Sequence, residues 1–325
     1  GETWVGPVDV TVTGGMPSPA STTFPGSAGD IITATATSGT ATPFGSTSEF
    51  SAAYTVTASG STPTARPDPQ GGSGSDRYGT EIASLSPVSH WRLGESAGPT
   101  AADEMGTNDG TYSEVTLGAA GALAGDVDTA GDFDGTNDYI DVGTFDLAGG
   151  GLTLTGWVNA DTFAINDARI ITKATDIQEG DHFGMLSTVD ASGESRLRAR
   201  LKVGGSTDTL IATSGALQTG QWHFAAVTYD ETDMTLYLDG VEVGSTSHSV
   251  GGAVDAAPSV PVWIGSNPPD ASVKPFDGRI DEVAVFDRAL TVGELRQLHA
   301  TGRQYYTIDE GGSLSTSPLE GTLTN

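Results

Sequence analysis

The stretch RLRARLK, residues 196–202, holds four of the chain's fourteen Lys and Arg, in a protein of net charge -28. On a β-strand, side chains alternate between faces. Arg196, Arg198, Arg200 and Lys202 then share one face, while Leu197, Ala199 and Leu201 point into a core. Four cations spread over about 20 Å of strand repel one another unless acids or an anionic ligand lie across them. Two readings follow. In one, the strip is a ligand-binding site that grips an anionic polysaccharide, such as a uronic acid or sulfated polymer, because guanidinium pairs with carboxylate and sulfate through two hydrogen bonds. In the other, Asp and Glu on neighbouring strands complete a surface charge ladder. The 42 acidic residues favour the second.

Other chemistry is sparse. Glycoside hydrolysis needs two carboxylates flanking one bond, and neither Glu-x-Asp-x-Glu nor Glu-x-Asp-x-x-Glu occurs. EGDHF, residues 179–183, offers two acids and His182 but reads as a solvated loop. No Gly-x-Ser-x-Gly elbow is present, and the five His lack HExxH or similar ligand spacing. His223 reads as a packed strand residue. No catalytic residue is assigned, and the chain is expected not to be an enzyme. Oxygen donors for a hard cation gather in AADEMGTNDG (Asp103, Glu104, Asn108, Asp109) and in DVDTAGDFDG (Asp126, Asp128, Asp132, Asp134), without the spacing of an EF-hand. Trp91, Trp157, Trp222 and Trp263 fall in strand-like stretches, where core packing is the first reading and a sugar-stacking platform the second.

The elements that must position these residues are mostly strands. The chain is rich in Gly, Thr, Ser, Ala and Asp, and a composition of that kind suits short strands and tight turns. Cysteine is absent, so disulfides, thiolate metal sites and a Cys nucleophile are excluded. No apolar run is long enough to insert in a membrane. The acidic surface repels nucleic acid and anionic lipid. The start at Gly1, without Met, reads as a processed or excised product. Residues 1–60 form a β-prone arm or small β domain (VDVTVT, IITATAT, AAYTVTA) with few large apolar residues. Residues 61–77 are a linker of Pro, Gly and Ser. From 78 to 302, strand signals recur at short spacing, with Asp239-Gly240 as a hairpin turn, which predicts a two-sheet antiparallel sandwich. A single helix is predicted after Thr291, boxed by Glu294 and stopped by Gly302. Residues 303–325 are a β tail.

The ordered series YGTEIASLSPVSHWRLGE, AGDFDGTNDYIDVG, LTLTGWVNA, GQWHFAAVTYD, MTLYLDGVEVGS, VWIGSN and FDGRIDEVAVFDRALTVGELRQLHATG resembles the laminin-G-like, concanavalin A-like jelly roll of bacterial, archaeal and phage surface proteins. The resemblance implies an all-β jelly roll that binds carbohydrate or protein, and often one structural Ca²⁺ joining an N-terminal loop to an Asp on the last strand. The matching metal candidates are Asp103 and Asp281. The tail, YYTIDEGGSLSTSPLEGTLTN, resembles the opening strand of cadherin-like adhesion repeats. Together these imply a secreted, non-catalytic surface or adhesion protein, extracellular or on a virion, with a glycan or protein partner. Two rivals stand beside it: a filament, sheath or fibre subunit that homopolymerises through its terminal strands, and a glycan-active enzyme.

Overall fold

The computed structural model describes residues 31–37, 47–55, 77–123, 126–147, 149–303, 306–308 and 314–316. The strand expected over Val8–Thr13 and residues 61–76 of the expected linker lie outside the described residues. The chain divides into two compact units, Gly1–Gly71 and Gly72–Asn325, so the break falls inside the expected linker. In the first unit, Ile31–Thr37 pairs antiparallel with Thr47–Thr55, with an irregularity between Ile32 and Ala34. In the tail, Tyr306–Ile308 pairs with Leu314–Thr316.

Two antiparallel sheets make up the sandwich of the second unit. The first runs, in spatial order, Ser206–Ile211, Glu194–Val203, His182–Ala191, Arg169–Ala174, Val262–Ile264, Tyr139–Asp141, Gly110–Ser113 and Thr100–Ala101. The second runs Val241–Ser247, Asp233–Leu238, His223–Tyr229, Leu152–Ala160, Asp277–Phe286, Thr129–Asp134 and Thr116–Ala120, with Ser89–Trp91 also paired to Asp277–Phe286. Alternate residues of both sheets meet between them. Leu197, Ala199, Leu201 and Val203 from the first sheet pack there with Leu154, Val158, Val227, Leu236 and Val283 from the second, as the period-two pattern dictates. The turn after Leu238 has φ of 53° at Asp239 and 75° at Gly240, the two positive values of a type I′ hairpin.

A second apolar layer covers the other side of the second sheet. Trp157, Phe224, Ala284 and Phe286 are buried there against two helices, α1 (Arg77–Ser84) and α2 (Val292–Arg303). The helix α1 is a departure from the single-helix expectation. Its Tyr78 and Ile82, four apart and so on one face, are buried, and the Tyr78 hydroxyl accepts a 3.0 Å hydrogen bond from the Trp157 indole. The capping box of α2 forms as read: Glu294 accepts from the Thr291 N–H at 2.7 Å, and its own N–H reaches the Thr291 hydroxyl at 3.2 Å. Gly302, however, lies inside α2. A Cβ there would come within 2.5 Å of Trp157, so the glycine lets the helix approach the indole instead of ending it.

Candidate functional site

The basic strip lies on the outer face of the first sheet, opposite its core-facing leucines. Cross-strand register places one continuous row of residues on that face: Thr100, Thr111, Asp141, Trp263, Thr172, Met185, Arg200 and Thr209. A second row alongside carries Arg169, Ser187, Arg198 and Ile211. One end of the first row is open, since Thr100, Thr111 and Asp141 are exposed. From Trp263 (8% exposed) through Thr172 and Met185 to Arg200 (9%) it is buried.

Loops and neighbouring strands compensate part of the strip. Arg196 pairs with Glu194 at 2.6 Å. Lys202 donates to the Gly180 carbonyl at 2.8 Å and sits over the Phe183 ring. Arg198 reaches Asp167 at 3.1 Å. The other oxygen of Asp167 takes Arg169 at 2.6 Å and the Ser187 hydroxyl at 2.8 Å. Burial raises the Asp167 carboxyl, and Arg169, Arg198 and Ser187 together more than offset it, so the group stays below its ordinary range. Arg169 is fully buried and also donates to the Asn267 side-chain oxygen at 3.0 Å.

His182 stands among these cations and is buried, whereas Glu179 and Gly180 of the same EGDHF stretch are exposed, as a solvated loop requires. Burial first, then Arg169 and Arg200, push its pKa down to about 4, so the ring is neutral at pH 7. Its Nδ1 faces the Gln178 carbonyl at 2.8 Å and must therefore carry the proton. That leaves Nε2 to accept from Arg169 at 3.1 Å, with the Asn267 side-chain oxygen, also 3.1 Å away, facing it as a second acceptor. The 3.4 Å approach of Arg200 to Nδ1 then sets donor against donor and is not a hydrogen bond. Arg200 is left with one long contact, Nε to the Thr209 hydroxyl at 3.4 Å. Among the described residues no carboxylate pairs with it. Burial and the neighbouring Arg198 lower its pKa.

Three buried polar atoms on this face have no hydrogen-bond partner among the described residues: Trp263 Nε1, Thr172 Oγ1 and Arg198 Nε. Trp263 and Thr172 are direct cross-strand neighbours. The Tyr139 ring, half-buried, stacks on Trp263 with centroids 4.0 Å apart and planes at 26°. Unpaired buried groups of this kind cost roughly 1–3 kcal/mol each, so stability alone gives no reason to keep them. Thr172→Val should therefore leave the unfolding midpoint unchanged or raise it, as chemical denaturation would show. A clear loss of stability would mean that the hydroxyl has a structural partner.

The metal candidates are not brought into one set. The Asp103 carboxylate accepts from the backbone N–H of His90, Met105, Thr107 and Asn108 and from the Thr107 hydroxyl. It is a loop-ordering acceptor whose oxygens face N–H and O–H donors, which does not fit calcium ligation. Asp281 is buried. One oxygen accepts from Ala122 at 2.7 Å, and the other has no hydrogen-bond partner among the described residues. Burial and the adjacent Glu282 raise its pKa well above the ordinary range. Glu282 in turn holds His90 and Arg92, and Arg92 also binds Asp126 and Asp128, so a guanidinium already supplies positive charge to these acids. The residues present do not fit an ion shared by Asp103 and Asp281. His223 is a packed residue as read, its Nδ1 held by Asp239 at 2.8 Å.

The small interior void lined by Leu152, Leu154, Leu201, Val227 and Met234 has a volume of about 10 Å³, at the limit for one water molecule. It offers no room for a ligand.

No curated protein matches the sequence. Among solved structures, domain 4 of AbnA, a GH43 extracellular arabinanase from Geobacillus stearothermophilus in complex with arabinotriose, is 22% identical. It covers 66% of this chain and 98% of its own, with a TM-score of 0.48. A heptameric SAP-like pentraxin from Limulus polyphemus is 19% identical over 52% of this chain and 80% of its own, with a TM-score of 0.43. A Trypanosoma rangeli sialidase is 14% identical over 66% of this chain but only 33% of its own, with a TM-score of 0.46. The Laminin_G_3 family model matches residues 134–296, a segment that carries the Tyr139–Trp263 pair, the arginine strip and the Asp-Gly hairpin. The chain belongs to that family, described as the concanavalin A-like lectin/glucanases superfamily.

Proposed function

We propose that this is a secreted, non-catalytic surface protein whose jelly roll binds carbohydrate on the outer face of its first sheet. The observation that carries the reading is the unpaired Trp263 indole N–H beside the unpaired Thr172 hydroxyl, under the half-exposed Tyr139 ring, in a row that opens onto Thr111 and Asp141. Aromatic rings present an apolar face with a polar handle, and that combination suits a sugar ring, with its apolar face and hydroxyl edge. Thr111, Ser113 and Asp141 supply hydrogen-bonding groups at the rim. Asp141 is the only carboxylate in the row, whereas glycoside hydrolysis takes two across the scissile bond, and this supports binding over catalysis.

The test is electrophoretic retardation of the full chain in native gels that contain a neutral polysaccharide, with β-glucan, galactomannan and arabinan each in turn. At least one should retard the protein, and Tyr139→Ala should weaken that retention about tenfold or more, since stacking and desolvation at a central aromatic commonly contribute 1–2 kcal/mol. Equal mobility of the two proteins in every gel would refute the site.

A further inference from the structure

The basic end of the same row has a property that the aromatic end does not explain. Three guanidinium groups, Arg169, Arg198 and Arg200, lie around one carboxylate, Asp167, and the imidazole among them is neutral. Asp167 is fully used: Arg169 and Ser187 hold one oxygen and Arg198 the other. Arg198 still has a buried Nε without an acceptor among the described residues. Arg200, in the field of Asp167 and Glu179, forms an ion pair with neither; its one side-chain hydrogen bond among the described residues is the long one to Thr209. In a chain of net charge -28, a centre with more cations than anions is not the outcome of a general charge excess. It is a local excess of cations, three guanidinium groups against Asp167 and the more distant Glu179.

Resting on the carbohydrate reading above, we propose that Arg198 and Arg200 form a subsite for the carboxylate of an acidic sugar, so that the preferred ligand is a uronic-acid-containing saccharide lying across the strands. Asp167 shows the geometry that such a group would adopt. It is a carboxylate bridging two guanidinium groups, one oxygen to each, with a hydroxyl on one oxygen, and charge-assisted hydrogen bonds of this kind are the strong ones. Arg200 stands three strand spacings from Trp263 along the row, about 14 Å at 4.7–4.9 Å per strand, the reach of a short oligosaccharide. The saccharide would stack on Tyr139 at one end and place a carboxylate at Arg200 at the other, which requires the cover over Thr172 and Met185, both fully buried between them, to move aside. Arg169, His182 and Asn267 are positioning residues, since they hold Asp167 and the loops but offer no free donor. Arg196 and Lys202 lie outside the subsite, because Glu194 and the Gly180 carbonyl already engage them.

The experiment compares galacturonate hexamer with its fully methyl-esterified form, which has the same skeleton without charge, by calorimetric titration of the full chain. The acid should bind about tenfold tighter than the ester at low ionic strength, and the ratio should fall toward one as salt rises past the screening range. In Arg200→Gln the acid-to-ester ratio should fall to about one at every salt concentration. Because the readout is a ratio within one protein, a general loss of affinity does not imitate it. If the ester binds as tightly as the acid in the unmodified protein, or if the preference survives Arg200→Gln, the carboxylate subsite is refuted while the carbohydrate reading stands. If neither hexamer binds and no neutral polysaccharide retards the protein, both are refuted.

Discussion

Asp167→Ala is expected to lower the unfolding free energy by about 3–5 kcal/mol, the cost of removing one partner from a buried ion pair. Asp167 is 5% exposed and Arg169 fully buried. Without the carboxylate, Arg169 keeps the Asn267 oxygen, the Asp167 backbone carbonyl and the His182 nitrogen, but its charge is left uncompensated beside those of Arg198 and Arg200. Ser187 loses its acceptor as well. Arg196 provides the contrast within the same strip. Its partner Glu194 has a side chain 55% exposed, so Glu194→Ala should cost less than about 1 kcal/mol. Denaturant titration of both variants checks the pair of values. Equal and small effects would mean that the cations of this face rest on solvent and not on Asp167.

The second large effect is a dependence on pH. His182 is held at about 4 in the folded protein by burial and by Arg169 and Arg200, whereas a free imidazole titrates near 6.5. Between those values the unfolded chain binds a proton that the folded protein excludes. Stability from this group is therefore present above about pH 6.5 and is lost as pH falls toward 4, by about 3 kcal/mol in all. The buried acid cluster acts in the opposite sense. Burial raises Glu282 to about 8 against the pull of Arg92, so the folded protein holds a proton there that the unfolded chain releases above its ordinary pKa, and this contribution improves as pH falls from 8 toward 5. Comparison with His182→Asn separates the two. The stability advantage of the unmodified protein over the variant should shrink by about 2 kcal/mol between pH 7.5 and pH 5. Parallel stability curves would show that His182 is protonated in the fold.

Much of the architecture was legible because its signals are local. Ile31–Thr37, Arg169–Ala174 and Glu194–Val203 are strands where β-branched or alternating residues predicted them. The Thr291–Glu294 box and the Asp239-Gly240 turn formed through bonds within a few residues. Helix α1 was missed because eight residues with one apolar pair carry little periodicity, and the helix is secured by Trp157, far along the chain. Gly302 was misread because a glycine that admits an indole cannot be told from one that ends a helix until the partner is in place.

The candidate site was legible only in part. The alternation of RLRARLK placed four cations on one face, but which of them lacks a partner depended on Asp167 and His182, each from a different segment. His182 carried a signal of its own, since it opens HFGMLST, which reads as a strand and is one, His182–Ala191. Trp263 looked like core because VPVWIG is apolar throughout, yet register sets it outward beside Thr172. Asp103 looked like a metal ligand because AADEMGTNDG is rich in oxygen donors; its N–H donors become visible only once the loop has closed around it.

The most direct test of the central claim is the indole N–H resonance of Trp263 in the isotopically labelled full chain, assigned through Trp263→Phe, during titration with hexasaccharides of β-glucan, galactomannan, arabinan and galacturonate. The account predicts that at least one of them moves this resonance saturably, because the N–H gains a ligand acceptor, and that the indole of Trp157, buried on the opposite sheet, does not move. A Trp263 resonance unmoved by every saccharide, or a saccharide that binds and perturbs only other indoles, would contradict carbohydrate binding on this face.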